Sequence, residues 1–121
     1  MPKTSESHPG SFLPLAPPVF HILLSLGEGE RHGYALKREI ARRTEGKLTL
    51  GAGVLYGSIS KMLEQGLIEE SSDRPDPHLD DERRRYYRIT SLGRKVAQAE
   101  ALRMRELVHL AAVQFGLPHR V

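Results

Sequence analysis

Tyr56, Ser58 and Lys61 are the side chains of this sequence best suited to binding a polyanion. A hydroxyl can hydrogen-bond to a phosphate or a base edge, and a lysine ammonium can neutralise a phosphate. Apolar residues recur around them at helical spacing, namely Leu55, Ile59, Met62 and Leu63. A helix over residues 51–65 would bury this apolar stripe and leave the three polar residues on other faces, where they can meet a partner.

A β-hairpin is predicted directly after this helix. Gly66 ends the helix, since glycine readily adopts the left-handed conformation of the residue that follows a helix. Leu67-Ile68 begins an extended run, and residues 86–90 form the returning strand. A long tip that contains Pro75 and Pro77 connects the two. A small exposed helix followed by such a wing is a common way of presenting a helix to the major groove of DNA.

Charged residues occur in blocks, although the formal net charge of the chain is only +3. Residues 31–62 contain seven Lys or Arg against two Asp or Glu, and residues 83–105 contain eight against one. Residues 69–82, at the wing tip, carry seven acidic side chains and one Arg. Separate basic blocks suit a face that binds nucleic acid, although a charge run is otherwise a solvated surface.

Further candidate DNA contacts lie at the base of the wing and on the preceding helix. Arg84 and Arg85 are expected to reach the minor groove or its phosphates; the alternative is that they neutralise the acidic tip. Lys37 and Arg38 are candidates for contacts to the DNA backbone. Tyr56 has an alternative interpretation as well, in which its ring only shields the core.

No arrangement typical of catalysis or metal binding is present in the sequence. The absence of cysteine excludes disulfides and thiolate zinc sites, and the six histidines include no i, i+4 pair. No Gly-x-Ser-x-Gly or phosphate-cradling glycine loop occurs either. We therefore expect no enzyme activity, no cofactor and no metal. The apolar run Ile22-Leu23-Leu24 is far too short for a membrane span and no signal-peptide pattern is seen, so a cytoplasmic protein with no membrane partner is expected.

The 121 residues suit one modest core. We predict a flexible tail over residues 1–12, a DNA-binding domain over 13–90, a C-terminal helix over 91–116 and a second tail over 117–121. Within these, helices are predicted over 19–26, 33–44, 51–65 and 92–115, and a short strand over 47–50. Tyr34 is expected in the core with its hydroxyl at the surface, and Ser91 is expected to cap the final helix.

Six apolar residues of the final helix are spaced alternately by four and three positions: Ala97, Ala101, Met104, Val108, Ala111 and Phe115. Such a seam, sustained for nearly three heptads, is typical of helices that pair along their length. A small domain has few surfaces of its own to cover it. We therefore predict that the seam forms a homodimer interface; the alternative is that it packs against the first helix alone.

Several motifs, in this order and spacing, resemble the PadR family of bacterial transcriptional regulators. They are Phe20-His21-Ile22-Leu23-Leu24-Ser25-Leu26, His32-Gly33-Tyr34-Ala35-Leu36, Gly53-Val54-Leu55-Tyr56, Leu63-Glu64-Gln65-Gly66-Leu67-Ile68 and Arg85-Tyr86-Tyr87-Arg88-Ile89-Thr90-Ser91-Leu92-Gly93. The resemblance covers about residues 13–115, and the single final helix is similar to that of the short-type members. Two positions depart from the family: Val54 stands where Thr is usual, and Gly57 where Pro is frequent.

The resemblance implies a mainly α (α+β) fold, namely a winged helix-turn-helix with a two-stranded wing and a long C-terminal dimerisation helix. It also implies a homodimeric repressor that binds a pseudo-palindromic operator in double-stranded DNA, and a small hydrophobic or aromatic effector. The alternative function is a winged-helix module that binds protein without specific DNA binding, since the acidic wing tip and the apolar final helix also suit such a partner.

Overall fold

The computed structural model describes residues 8–71 and 85–118. Within these ranges the chain forms a 3₁₀ turn (Pro9–Phe12), four α-helices and three short strands. In chain order these are α1 (Pro17–Leu26), β1 (Arg31–His32), α2 (Gly33–Arg43), α3 (Ala52–Gln65), β2 (Ile68–Glu70), β3 (Tyr86–Ile89) and α4 (Ser91–Phe115). This is the predicted winged helix-turn-helix with a long C-terminal helix. None of the helices in these two ranges combines the length and apolar composition that a bilayer crossing requires.

Helix α1 lies in the middle of the domain and contacts α2, α3 and α4. Its Ile22, Leu23 and Leu26 are buried at the centre of the core. The predicted apolar stripe of α3 is confirmed, because Leu55, Ile59 and Met62 are buried and Leu63 packs against them. The remaining buried apolar residues are Leu36, Ile40, Leu50, Leu67, Ile68, Tyr87 and Val96.

The sheet has three strands in the order β1-β3-β2, all antiparallel. Strands β2 and β3 are the predicted wing strands and pair Ile68 with Ile89. The third strand differs from the prediction, because it lies at Arg31–His32, which pairs with Tyr86 and Tyr87 of β3.

Residues 47–50, which were predicted as a strand, are not extended against any other segment of the described structure. The backbone N–H of Leu48 instead donates to the Thr44 side chain at 3.0 Å, in the turn that follows α2. Glu45 and Gly46 in this turn have positive φ angles of 56° and 81°. The alternation of polar and apolar residues therefore reflects a loop whose Leu50 is buried and whose Leu48 packs against the core.

Four elements meet at Thr90. Its hydroxyl oxygen lies 2.6 Å from the carbonyl oxygen of Gly66 and accepts the N–H of Gly93 at 2.9 Å. Its own N–H donates to the carbonyl of Leu67 at 3.1 Å. Thr90 is therefore the N-cap of α4, one residue before the predicted Ser91. Gly66 has the predicted left-handed conformation, with a φ of 79°.

The segment before α1 is attached to α4. The 3₁₀ turn falls within the predicted tail but packs against α4, and Phe12 contacts the core. The N–H of Leu15 donates at 3.0 Å to the carboxylate of Glu100, which is completely buried. Arg103 donates to the same carboxylate at 2.6 and 3.0 Å. The hydrogen bond from Arg103 is the main reason why the pKa of Glu100 is lowered despite its burial.

We expect Gly93→Ala to destabilise the fold by about 3 kcal/mol or more, because its new methyl group would collide with the carbonyl oxygen of Leu67, which is backbone and cannot rotate away. Gly57→Ala is the matched control in α3, where an added methyl group meets no atom within 4 Å. This control should stabilise α3 by up to about 1 kcal/mol. Urea unfolding of both variants at one protein concentration measures the difference, and equal midpoints would contradict the close approach at Gly93.

Candidate nucleic-acid interface

Tyr56 lies where α3 meets the start of α2. Its side chain is partly exposed, at 41% for the residue, and its ring packs against Gly33. A methyl group on Gly33 would stand only 2.6 Å from the Tyr56 hydroxyl oxygen. The hydroxyl is thus held beside Gly33, the first residue of α2, and the N-terminus of a helix favours an anion. One side of the ring therefore packs and the rest meets solvent, and a contact between the hydroxyl and a phosphate stays a prediction.

Tyr34 is exposed at the same end of α2, so its prediction as a core residue was wrong. The buried face of α2 is formed by Gly33, Leu36 and Ile40, which leaves Tyr34 on an outer face with 57% exposure. The guanidinium of Arg38 lies over the Tyr34 ring, 5.5 Å from its centroid. The spacing of three and four residues between the buried positions is a sequence signal that would have placed Tyr34 outside.

His32 connects this end of α2 to the wing. Its Nδ1 accepts the N–H of Ala35 at 3.2 Å, so it serves as the N-cap of α2. Its ring also stands edge-on to Tyr86 of β3, with centroids 5.3 Å apart. The start of α2 and the base of the wing are therefore fixed relative to each other.

Ser58 and Lys61 lie on the flank of α3 opposite Tyr56, because a residue advances about 100° around a helix. They line a groove between α3 and the N-terminal segment. Lys61 is exposed and forms no ion pair with any residue that the structure describes. The exposed side of α3 thus has Tyr56 on one flank, Ser58 and Lys61 on the other, and glycines at positions 53 and 57 between them.

Arg85 at the base of the wing pairs across the hairpin with Glu70 at 3.2 Å. Arg88, the next arginine along β3, pairs with Glu69 at 2.8 Å. Both ion pairs are exposed, and an exposed ion pair contributes about 0–1 kcal/mol to the stability of a fold. DNA phosphates could therefore replace the carboxylate partner of Arg85 at little cost. Its role in DNA binding stays a prediction. Arg84 lies outside the described residues.

Several arginines of the first basic block are ion-paired. Arg42 and Arg43 donate to Glu39 at 2.6 and 2.8 Å, and Arg43 and Arg31 also contact Glu28. Among the described residues, the cations of this block without an ion pair are Lys37, Arg38, Lys47 and Lys61. Three of these were candidate DNA contacts: Arg38 is exposed, Lys37 is half-buried and Lys61 borders the groove.

The seam of α4 divides into two parts. Ala97 packs against the core of its own domain, next to the buried Val96 and Glu100. Beyond residue 101 the helix carries exposed apolar side chains on several faces: Leu102, Leu107, Val108, Leu110, Val113 and Phe115. Of the predicted seam residues in this part, Ala101, Val108 and Phe115 are exposed, whereas Met104 and Ala111 are half-buried. The unpartnered apolar surface is therefore wider than the seam.

The ion-pair cluster makes the stability of the fold depend on pH. The pKa of Glu39 is lowered from 4.5 to about 2, first by the hydrogen bond from Arg42 and also by the charges of Arg42, Arg31 and Arg43. Stability from a lowered carboxyl pKa is complete above about pH 4.5 and is lost as the pH falls towards about 2.

We expect Glu39→Gln to lose about 1 kcal/mol at neutral pH and to flatten the loss of stability between pH 4.5 and 2. Denaturant unfolding across this pH range measures both effects. Glu64→Gln, which removes an exposed carboxylate of α3, is the control for the substitution itself. A Glu39→Gln profile that is parallel to the wild type would contradict the assignment.

Comparison with known proteins places this geometry in a family. The model of the transcriptional regulator PadR-like family matches residues 22–99. A transcriptional regulator from Clostridium thermocellum is 26% identical, with a TM-score of 0.67 over 81% of this chain and 88% of that chain. A PadR family transcription regulator from Clostridium difficile R20291 is 21% identical, with a TM-score of 0.66 over 83% and 98% of the two chains, and shares the fold.

One relative is similar in sequence over part of its length. An uncharacterised protein of Lysinibacillus sphaericus is 33% identical over 73 residues, which are 60% of this chain and 64% of that protein. This chain therefore spans less than two thirds of the relative that it matches.

Proposed function

Since this chain belongs to the PadR-like family of transcriptional regulators, we propose that it is a homodimeric repressor that binds a pseudo-palindromic operator in double-stranded DNA. Members of this family regulate transcription and are not enzymes. Repression would follow from occupation of the operator, and a small hydrophobic or aromatic effector would release the protein from it.

The observation that carries this proposal is the continuous exposed face formed by α3 and the start of α2. Tyr56 packs against the buried Gly33, Tyr34 is the next residue of α2, and Arg38 is stacked on Tyr34. The cations of this face, Arg38 and Lys61, are not neutralised by carboxylates of the described structure. A helix with free cations and hydroxyls on its exposed side is suited to the major groove, with α2 on the flanking phosphates.

The distal half of α4 is the proposed dimer interface. An apolar helix surface of this extent is rarely left in contact with water, since large exposed patches mark interaction sites. Because exposed apolar residues lie on several faces, the partner must cover more than one side of the helix. In the dimer, the two α3 helices would enter successive major grooves about 34 Å apart.

We expect Lys61→Ala and Arg38→Ala each to weaken operator binding about tenfold and to lower the salt slope of the affinity by about 1, since each removes one cation that neutralises a phosphate. The operator is first selected from a random duplex library and then titrated at two salt concentrations. Lys95→Ala, which removes an exposed cation of α4, is the matched control and should bind like the wild type. Equal affinities for all four proteins would argue against this face of α3 and α2.

We expect Val108→Glu to convert the dimer into monomers at micromolar concentration, because it places a charge at the centre of the proposed interface. The residue is 58% exposed in the single chain, so the domain itself should stay folded. Sedimentation velocity gives the mass, and circular dichroism checks the fold. Gln98→Glu on the proximal half of α4 is the control. A wild-type protein that sediments as a monomer would refute the proposed dimer.

A further inference from the structure

The groove beside α3 has a volume of about 970 Å³ and is open to solvent on one side. Phe12, Leu15 and Val19 of the N-terminal segment and α1 line one wall. Val54, Ser58 and Lys61 of α3 line the other. This volume lies at the upper end of the range for small-molecule sites, which are mostly apolar with a few convergent polar groups.

Two glycines keep the α3 side of the groove flat. Gly53 and Gly57 both line it, and a methyl group on either would meet no atom within 4 Å. A glycine inside a helix costs roughly 0.5–1 kcal/mol relative to alanine, so the empty surface has an energetic cost.

The opposite wall, formed by the N-terminal segment, is bonded to α4 on the side away from the groove. The N–H of Leu15 donates to the buried carboxylate of Glu100, which Arg103 also contacts. The N-terminal segment is therefore fixed to α4 and not only laid along the surface. A wall that is fixed before a ligand arrives lowers the entropic cost of binding.

We propose that this groove binds a small amphipathic organic anion and that the bound anion competes directly with DNA. The apolar body of the molecule would lie along Phe12, Leu15 and Val54, above the flat glycine surface. Its anionic group would meet the Lys61 ammonium and the Ser58 hydroxyl. Among the described residues, Lys61 is the one cation and Glu64 the one carboxylate that line the groove, and no ion pair joins them. By helix geometry Glu64 lies on the other side of Lys61 from Ser58, so the anionic group would meet Lys61 on its Ser58 side, away from Glu64.

The competition follows from shared residues. Ser58 and Lys61 line the groove and are also proposed to contact DNA, so one molecule of protein cannot offer them to both partners at once. Release from DNA by this route needs no change in the distance between the two winged domains. The competition rests on the proposed function, whereas the binding of the anion does not.

The location of binding is tested with decanoate as the probe and ¹⁵N-labelled full-length protein. We expect the backbone signals of Gly53, Gly57 and Lys61 to shift with a common saturating dependence on decanoate concentration. Shifts confined to the distal half of α4, or no shift at all because a partner's α4 fills the groove, would overturn the proposal.

Gly57→Leu should weaken decanoate binding at least tenfold, because the leucine fills the groove while raising the helix propensity of α3. Gly57→Ala, which adds one methyl group, should bind within about threefold of the wild type. Val54→Glu and Val54→Gln form a second pair of equal shape, and the charged variant should bind decanoate more weakly because it repels the anion. Binding that is the same in all four variants would refute the site.

Competition is measured by titrating the selected operator at rising decanoate concentrations. The apparent operator Kd should increase linearly with decanoate concentration in the wild type. An unchanged Kd in the wild type, with the groove signals shifted, would refute the competition alone. A protein that binds decanoate in the groove but selects no operator would refute the proposed function and leave the site in place.

Discussion

The geometry of this domain depends on the hydrogen bonds around Thr90. The hydroxyl and the backbone N–H of Thr90 join the end of α3, the start of β2, the end of β3 and the first turn of α4. The junction is possible because Gly93 has no side chain where α4 passes the carbonyl of Leu67. The direction of α4 is thereby fixed relative to α3. In the proposed dimer, the contact between two α4 helices therefore sets the separation of the two α3 helices without any flexible connection.

The elements defined by local signals could be predicted from the sequence. The stripe of Leu55, Ile59 and Met62, the left-handed Gly66 and the two wing strands are confirmed, because period and turn chemistry act within a few residues. The strand at Arg31–His32 could not be predicted, since two residues become a strand only where β3 offers them a partner. The strand predicted over residues 47–50 is wrong for the converse reason. Polar and apolar residues do alternate there, but the N–H of Leu48 donates to the side chain of the nearby Thr44.

The candidate site was less predictable than the fold, because it depends on which charges find partners. A count of residue types gives Arg38 and Arg43 equal weight, yet Arg43 is tied to Glu28 and Glu39 while Arg38 stacks on an exposed tyrosine. The buried Glu100 shows the same limit, since its partners are a backbone N–H 85 residues away and an arginine on its own helix. The spacing of Gly93, Val96 and Glu100 corresponds to the buried face of α4. A charged residue is not expected on a buried face, so the sequence did not indicate the burial of Glu100.

Helix α4 contributes both to the core of its own domain and to the proposed dimer interface. Its first turns complete the core of one domain through Val96 and Glu100, and its last turns carry the apolar surface assigned to the partner. In the proposed dimer, association would therefore stabilise the fold by mass action. Dilution would then weaken the dimer and lower the stability of the fold. The amount of protein in the cell would then set the lifetime of each copy as well as the occupancy of its operator. The proposed repressor would then stop acting, and would become open to degradation, below the same threshold of abundance.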